Sequence, residues 1–135
     1  MEKIFSRVNP KILLHVIHKK DDFSSSRNEL SPEDQYIQAN SLVFSKNKEV
    51  PAHKHLPRER VGKITQEALI VIEGEIEATY YDTDNNKIKK AILKQGDCTV
   101  TFMGGHSFKI LVEGTKIYEI KNGPYYGSEK DKMGI

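Results

Sequence analysis

Short apolar segments alternate with turn-forming residues from residue 36 to residue 121, and this alternation restricts the fold of the chain more than any other feature. The turn signals are Lys46–Glu49, Glu73–Glu75, Thr83–Asn86, Gly96-Asp97, Gly104-Gly105 and Glu113-Gly114. The intervals between them are too short for ordinary helices, and they suit strands of about five to eight residues. The sequence therefore predicts an all-β domain, built as a sandwich or a barrel.

The predicted strands follow the apolar and β-branched runs between these turns. They cover Ile12–Ile17, Tyr36–Ser45, Val50–His55, Ala68–Ile72, Ile76–Asp82, Lys87–Leu93, Cys98–Met103, His106–Val112 and Thr115–Lys121. Asp21–Ser31 is predicted to be a loop, and Pro32–Gln35 a single helical turn. The chain is expected to be one domain, with an N-terminal strand and loop extension at 1–35, a β-barrel at 36–127 and a polar tail at 128–135.

Charge and cysteine content narrow the classes of function. The 135 residues carry 21 Lys and Arg against 19 Asp and Glu, so no basic surface large enough for nucleic acid is expected. The single cysteine, Cys98, excludes an intrachain disulfide. The apolar run near the N-terminus is interrupted by His15 and lacks the charge pattern of a signal peptide. We therefore expect a cytoplasmic protein with neither nucleic acid nor membrane among its partners.

Histidines and one glutamate mark the ends of predicted strands. His53 and His55 share one face of a strand and are about 7 Å apart, so both imidazoles could reach one ion. Glu67 opens the next apolar strand, and His106 begins another strand after a Gly-Gly turn. Three imidazoles and one carboxylate suit a divalent transition metal such as Zn, Fe, Mn, Ni, Co or Cu. A His-x-His pair alone is more often an ordinary surface feature.

Both halves of this pattern resemble the motifs of the cupin superfamily. The first motif of that family is His-x-His followed by a Glu, six residues and a Gly, and here it is His53-Lys54-His55 with Glu67 to Gly74. The second motif, Gly-Asp followed by a turn and a His, is Gly96-Asp97 with Gly104-Gly105-His106. The resemblance spans about Ser41 to Lys121. It implies a cupin-type jelly roll, a double-stranded β-helix barrel, with His53, His55, Glu67 and His106 as ligands of one metal ion.

An insertion separates the two ligand segments. Residues 56–66 lie between His55 and Glu67, where the family usually has three or four residues. Glu59 in this insertion is an alternative carboxylate ligand. Three cations of the insertion, Arg58, Arg60 and Lys63, are predicted to bind an anionic substrate, because they would lie beside the mouth of the barrel. The alternative is an ordinary solvated loop.

The resemblance leaves several functions open. The first is a metalloenzyme of the oxygenase or isomerase type, acting on a small anionic or sugar-derived metabolite. The alternatives are a metal-independent nucleotide-sugar epimerase or ketoisomerase, with a histidine base and a tyrosine acid, and a non-enzymatic cupin that binds a small molecule. A homodimer is also expected, because an open barrel has edge strands to cover, and Lys11–Lys19 is the predicted contact.

Overall fold

The computed structural model describes residues 1–24, 27–57 and 59–135. Most regular elements in these residues are β-strands. The strands are β1 (Glu2–Phe5), β2 (Leu13–His18), β3 (Arg27–Glu29), β4 (Asn40–Leu42), β5 (Glu67–Glu73), β6 (Glu75–Tyr81), β7 (Lys87–Lys94), β8 (Cys98–Thr101), β9 (Gly105–Ile110) and β10 (Lys116–Lys121). A 3-10 turn at Lys20–Asp22 and the helix α1 (Ser128–Asp131) complete the elements. The prediction of an all-β chain is confirmed. No helix in the described ranges has the length and apolarity needed to span a membrane.

Two antiparallel sheets form the body of the molecule. One sheet has the order β1-β2-β8-β5-β10, and the other has the order β7-β6-β9. Ile17 and Val71 of the first sheet pack against Ile76, Tyr80 and Leu93 of the second, and all five are almost completely buried. The chain passes directly from one sheet to the other at Gly74, between β5 and β6. The core between the sheets therefore brings together strands that are far apart in the sequence, such as β2 and β6.

A second apolar cluster lies on the outer face of the five-stranded sheet. Val16, Ala68 and Val100 point to this face, because their neighbours along each strand point inward. Leu30 and Ile37, from the connection between β3 and β4, cover them. The two-stranded sheet β3-β4 thus serves as an outer layer. Both faces of the central strands are buried as a result.

The structure differs from the predicted strands in the first half of the chain. The predicted strand Val50–His55 forms no strand, and of Tyr36–Ser45 only β4 pairs. The described residues from 42 to 65 are all exposed, and Pro51 and Pro57 lack the N–H group that a sheet partner needs. Local alternation of apolar residues could not show that this segment has no partner strand.

The predicted N-terminal extension is part of the main sheet instead. β2 is paired on one side with β1 and on the other with β8. Lys11–Lys19 therefore does not present a free strand edge for the predicted dimer contact. The homodimer itself stays a prediction.

The buried carboxylate of Asp82 ties the N-terminal strand to the β6–β7 hairpin. It accepts hydrogen bonds from the Ser6 hydroxyl at 2.6 Å, the Arg7 N–H at 2.6 Å and the Thr83 N–H at 2.7 Å. Burial raises the pKa of Asp82, but these hydrogen bonds outweigh it and lower the pKa to about 2. The ionised carboxylate thus satisfies three hydrogen-bond donors, the Ser6 hydroxyl and the N–H groups of Arg7 and Thr83.

We predict that Asp82→Asn lowers the free energy of unfolding at neutral pH by about 2 kcal/mol, because an amide nitrogen would face one of these donors. The depressed pKa adds stability above about pH 4 that is lost as the pH falls toward 2, and the variant should lack this dependence. Urea unfolding at several pH values measures both effects. Asp84→Asn in the exposed turn is the control and should change stability little. Equal stability of the two variants would contradict the prediction.

Candidate functional site

A row of polar side chains crosses the inner face of the five-stranded sheet at one end. His15 of β2 lies opposite Thr101 of β8, Thr101 lies opposite Glu67 of β5, and Glu67 lies opposite Lys121 of β10. Directly opposed residues of neighbouring strands point to the same side of a sheet. The register therefore places four polar groups from four strands in one line, next to the apolar core.

Glu67 is the centre of the candidate site. Its Oε1 lies 3.1 Å from Nε2 of His106, which comes from β9 of the other sheet, and its Oε2 lies 3.2 Å from Nζ of Lys121. Glu67 is only 6% exposed. Burial raises its pKa, but the hydrogen bonds and charges of His106 and Lys121 outweigh burial and hold the pKa well below its usual range. Glu67 is thus a carboxylate at neutral pH, and His106 donates to it through Nε2.

The start of β9 requires glycine. Gly104 has a φ of 79°, in the left-handed region that favours glycine, and a Cβ there would collide with the carbonyl oxygen of Tyr81. A Cβ at Gly105 would meet the tip of the Ile135 side chain, which is exposed and can move aside, so the requirement for glycine rests on Gly104. This close backbone approach fixes where His106 leaves the turn and enters the strand.

His15 has a structural role beside the site. Its Nδ1 lies 3.0 Å from the Thr101 hydroxyl, and its Nε2 lies 3.3 Å from the Tyr81 carbonyl oxygen. Because a carbonyl only accepts, Nε2 carries the proton and Nδ1 accepts from Thr101. Burial lowers the pKa of His15 to about 4, so the ring is neutral and both nitrogens are occupied.

A cavity of about 470 Å³ opens at this end of the two sheets. Glu67 and Thr101 line it from one sheet and His106 from the other, and Asp131, Lys132, Met133 and Ile135 of the C-terminal segment line it as well. The volume lies within the range of pockets that hold small organic molecules. The C-terminal segment, predicted to be a polar tail, thus forms one wall of the cavity.

The structure brings together two of the four predicted metal ligands, Glu67 and His106. His53 and His55 lie in the exposed segment before β5, with ring centroids 5.5 Å apart, and Nδ1 of His53 is 2.9 Å from the carbonyl oxygen of Pro51. Neither histidine lines the cavity, and the alternative ligand Glu59 is exposed. In the described ranges, no group of three or more His, Cys, Asp or Glu could hold a metal ion. The four-ligand site stays a prediction.

The two described cations of the insertion, Arg60 and Lys63, do not line this cavity. Arg58 falls outside the described residues, and Arg60 is exposed. Lys63 borders a smaller neighbouring cavity of about 220 Å³, together with Asn122 and Lys130. Ile64, Thr65 and Asp131 line both cavities, so Lys63 lies next to the site without facing Glu67. Binding of an anionic substrate by these cations stays a prediction.

Sequence reasoning missed Lys121 and Asp131 as members of the site. Lys121 could have been found only from the register of β5 and β10, which aligns it with Glu67 after an irregularity at Lys116 and Ile117. Asp131 lies in a polar segment with no apolar pattern to indicate a packed position. Both residues are defined by long-range contacts.

Comparisons with protein-family models, with curated proteins and with solved structures find no match for this chain. The function of the protein is therefore inferred from the contacts of Glu67 and His106.

We predict that Gly104→Ala destabilises the protein more than Gly114→Ala does. Both glycines have positive φ, 79° and 74°, so both variants incur similar backbone strain of about 1–2 kcal/mol. Only the Cβ at 104 meets the Tyr81 carbonyl, whereas nothing lies within 4 Å of a Cβ at 114. Chemical denaturation of both variants measures the difference. Equal losses would show that the turn tolerates a side chain and that this approach does not position His106.

We further predict that Lys121→Met raises the pKa of Glu67, because the buried carboxylate loses the ammonium that stabilises its charge. The titration of the Glu67 carboxyl carbon, followed by NMR, measures this shift. Lys116→Met is the matched control on the same strand, since Lys116 pairs with the exposed Glu73. Removal of such a surface pair should cost at most about 1 kcal/mol of stability. An unchanged Glu67 titration in Lys121→Met would contradict the electrostatic account of the site.

Proposed function

We propose that the protein binds a small polar molecule in the cavity beside Glu67, and that His106 is the residue that contacts and acts on it. The observation that carries this proposal is the contact between Glu67 and His106, made across two sheets at 3.1 Å. His106 has a buried Nδ1 without a hydrogen-bond partner in the described structure, and its side chain lines the cavity. The ring is thus fixed through one nitrogen, and its other nitrogen has no partner among the described residues.

This arrangement suits general base catalysis. With Nε2–H donated to Glu67, the neutral imidazole has its lone pair on Nδ1 and can take a proton there. The Glu67 carboxylate stabilises the imidazolium that forms, and it fixes the orientation of the ring. The reaction class that fits is proton transfer on a small molecule, as in a metal-independent isomerase. No tyrosine lines the cavity in the part of the chain that the structure describes, so the tyrosine acid expected of such an enzyme has no counterpart here.

The second candidate is the metal site of a cupin-type jelly roll. It is favoured by one observation, that Glu67 and His106, from the two separate motifs, lie next to each other. In the described structure the set of metal ligands is incomplete. His53 and His55 lie outside the cavity, and the Lys121 ammonium contacts one oxygen of Glu67. A bound ion would supply Lewis-acid chemistry on a substrate oxygen. This candidate requires the segment of His53 and His55 to reach the cavity.

Metal content separates the two candidates. Untagged protein, purified without chelator, is incubated with each candidate metal, and bound metal is measured by elemental analysis. The metal candidate predicts stoichiometric binding that His106→Ala, Glu67→Gln and the double substitution His53→Ala, His55→Ala each abolish. Glu59→Gln should leave it unchanged, and the reverse result would make Glu59 the carboxylate ligand. Without stoichiometric metal in the wild type, the metal candidate is wrong and the acid-base site remains.

Ligand screening tests the proposal common to both candidates. A ligand at a hundredfold excess over its dissociation constant stabilises the folded protein by about 2.7 kcal/mol, which a thermal-shift screen detects. At least one small polar compound should raise the midpoint of the wild type and not that of His106→Ala. Arg60→Ala with Lys63→Ala should weaken binding of anionic compounds if these cations bind substrate. A screen in which no compound distinguishes the wild type from His106→Ala would refute the proposed function.

A further inference from the structure

Two residues that line the same cavity each carry a polar atom without a hydrogen-bond partner in the described part of the chain. Nδ1 of His106 and Oδ2 of Asp131 are buried and have no hydrogen-bond partner in the described part of the chain. His106 belongs to β9, and Asp131 belongs to α1 near the C-terminal end, yet both residues line the cavity of about 470 Å³. Leaving a buried polar atom unpaired costs about 1–3 kcal/mol, so two such atoms at one cavity indicate a site for a hydrogen-bonding ligand.

In the neutral form of the His106 ring, both atoms are hydrogen-bond acceptors. Glu67 is a carboxylate flanked by the Lys121 ammonium, so Nε2 of His106 carries the proton that faces it, and in the neutral ring Nδ1 keeps its lone pair. Asp131 accepts a hydrogen bond from the Thr65 hydroxyl through Oδ1, and its Oδ2 is a further acceptor. The molecule that satisfies both atoms has to supply at least two hydrogen-bond donors.

The charge of the cavity wall favours a neutral ligand over an anion. Three carboxylates line the cavity, those of Glu67, Asp82 and Asp131, against one ammonium, that of Lys132. Lys121 balances Glu67 from outside the lining, and the oxygens of Asp82 already accept hydrogen bonds within the protein. The remaining negative charge at Asp131 would repel a phosphate or carboxylate placed beside it.

We propose that Asp131 is a ligand-binding residue that completes the His106 site, and that the ligand is a neutral molecule with at least two hydroxyl groups. This inference rests on the proposed function, since it places the same molecule against His106. One hydroxyl donates to Nδ1 of His106, and another donates to Oδ2 of Asp131. Met103 and Met133, also in the wall, offer apolar surface to the carbon skeleton. Asp131 thus favours a ligand with hydrogen-bond donors, whereas a cationic residue in its place would favour a phosphate.

The test compares neutral monosaccharides with their 1-phosphates. Isothermal titration calorimetry measures the binding of each pair to the wild type, to Asp131→Asn and to Glu129→Gln. Glu129 is the matched control, because it is exposed on the same short helix and does not line the cavity. At least one unphosphorylated sugar should bind the wild type more tightly than its phosphate. Asp131→Asn should weaken this binding about tenfold, and Glu129→Gln should not change it.

Three outcomes overturn the inference. Binding of the phosphates alone, equal affinities for the two variants, or no binding by any sugar would each show that the two acceptors are satisfied by water or by another class of ligand. The proposed function survives if binding of another compound still requires His106, and it falls with the inference if nothing does. As a further check, ¹⁵N NMR should show that the neutral His106 ring has its proton on Nε2. A neutral ring with its proton on Nδ1 would make that atom a donor and overturn the inference.

Discussion

A carboxylate buried between two sheets is stable only if other groups balance its charge, and the contacts of Glu67 meet this requirement. Lys121 lies beside it because β10 pairs with β5, and His106 reaches it from β9 of the opposite sheet. β9 and β10 each pair with only one strand among the described residues. Side chains, not backbone hydrogen bonds, therefore join the two sheets at this end. The same contacts that hold the sheets together orient the ring of His106.

Much of the strand pattern could be predicted from local sequence. Ala68–Ile72, Ile76–Asp82 and Lys87–Leu93 agree with β5, β6 and β7 to within one residue at either end. The turn between β6 and β7 was predicted from residues that tolerate a left-handed backbone, and Asn85 has a φ of 67°. β1 was missed because Glu2–Phe5 is too short to show a pattern. Val50–His55 shows a strand pattern, but pairing depends on a free edge elsewhere in the molecule, which local sequence does not reveal.

The candidate site was predictable only in part, for a related reason. Glu67 was found by its spacing to Gly74, and His106 by its position after the Gly104-Gly105 turn that follows Gly96-Asp97. Lys121 depends on cross-strand register, which one irregularity shifts by a residue. His53 and His55 form the His-x-His pair of the first motif, yet they lie in the exposed segment that neither sheet pairs with. Motif spacing thus identified the residues fixed by strands and turns, and it could not locate the residues before β5.

The contact between Ile135 and Gly105 places the last residue of the described chain at the wall of the cavity. Anything joined to the carboxyl end, such as an affinity tag or a fusion partner, would emerge beside His106. A polyhistidine tag at that end would add imidazoles next to His106, a residue of the candidate metal site. The opposite end offers a different setting, because the amino group of Met1 pairs with Asp22 at 2.6 Å, and neither residue lines this cavity. A fusion at the amino end would remove this ion pair, but it would leave the mouth of the cavity open.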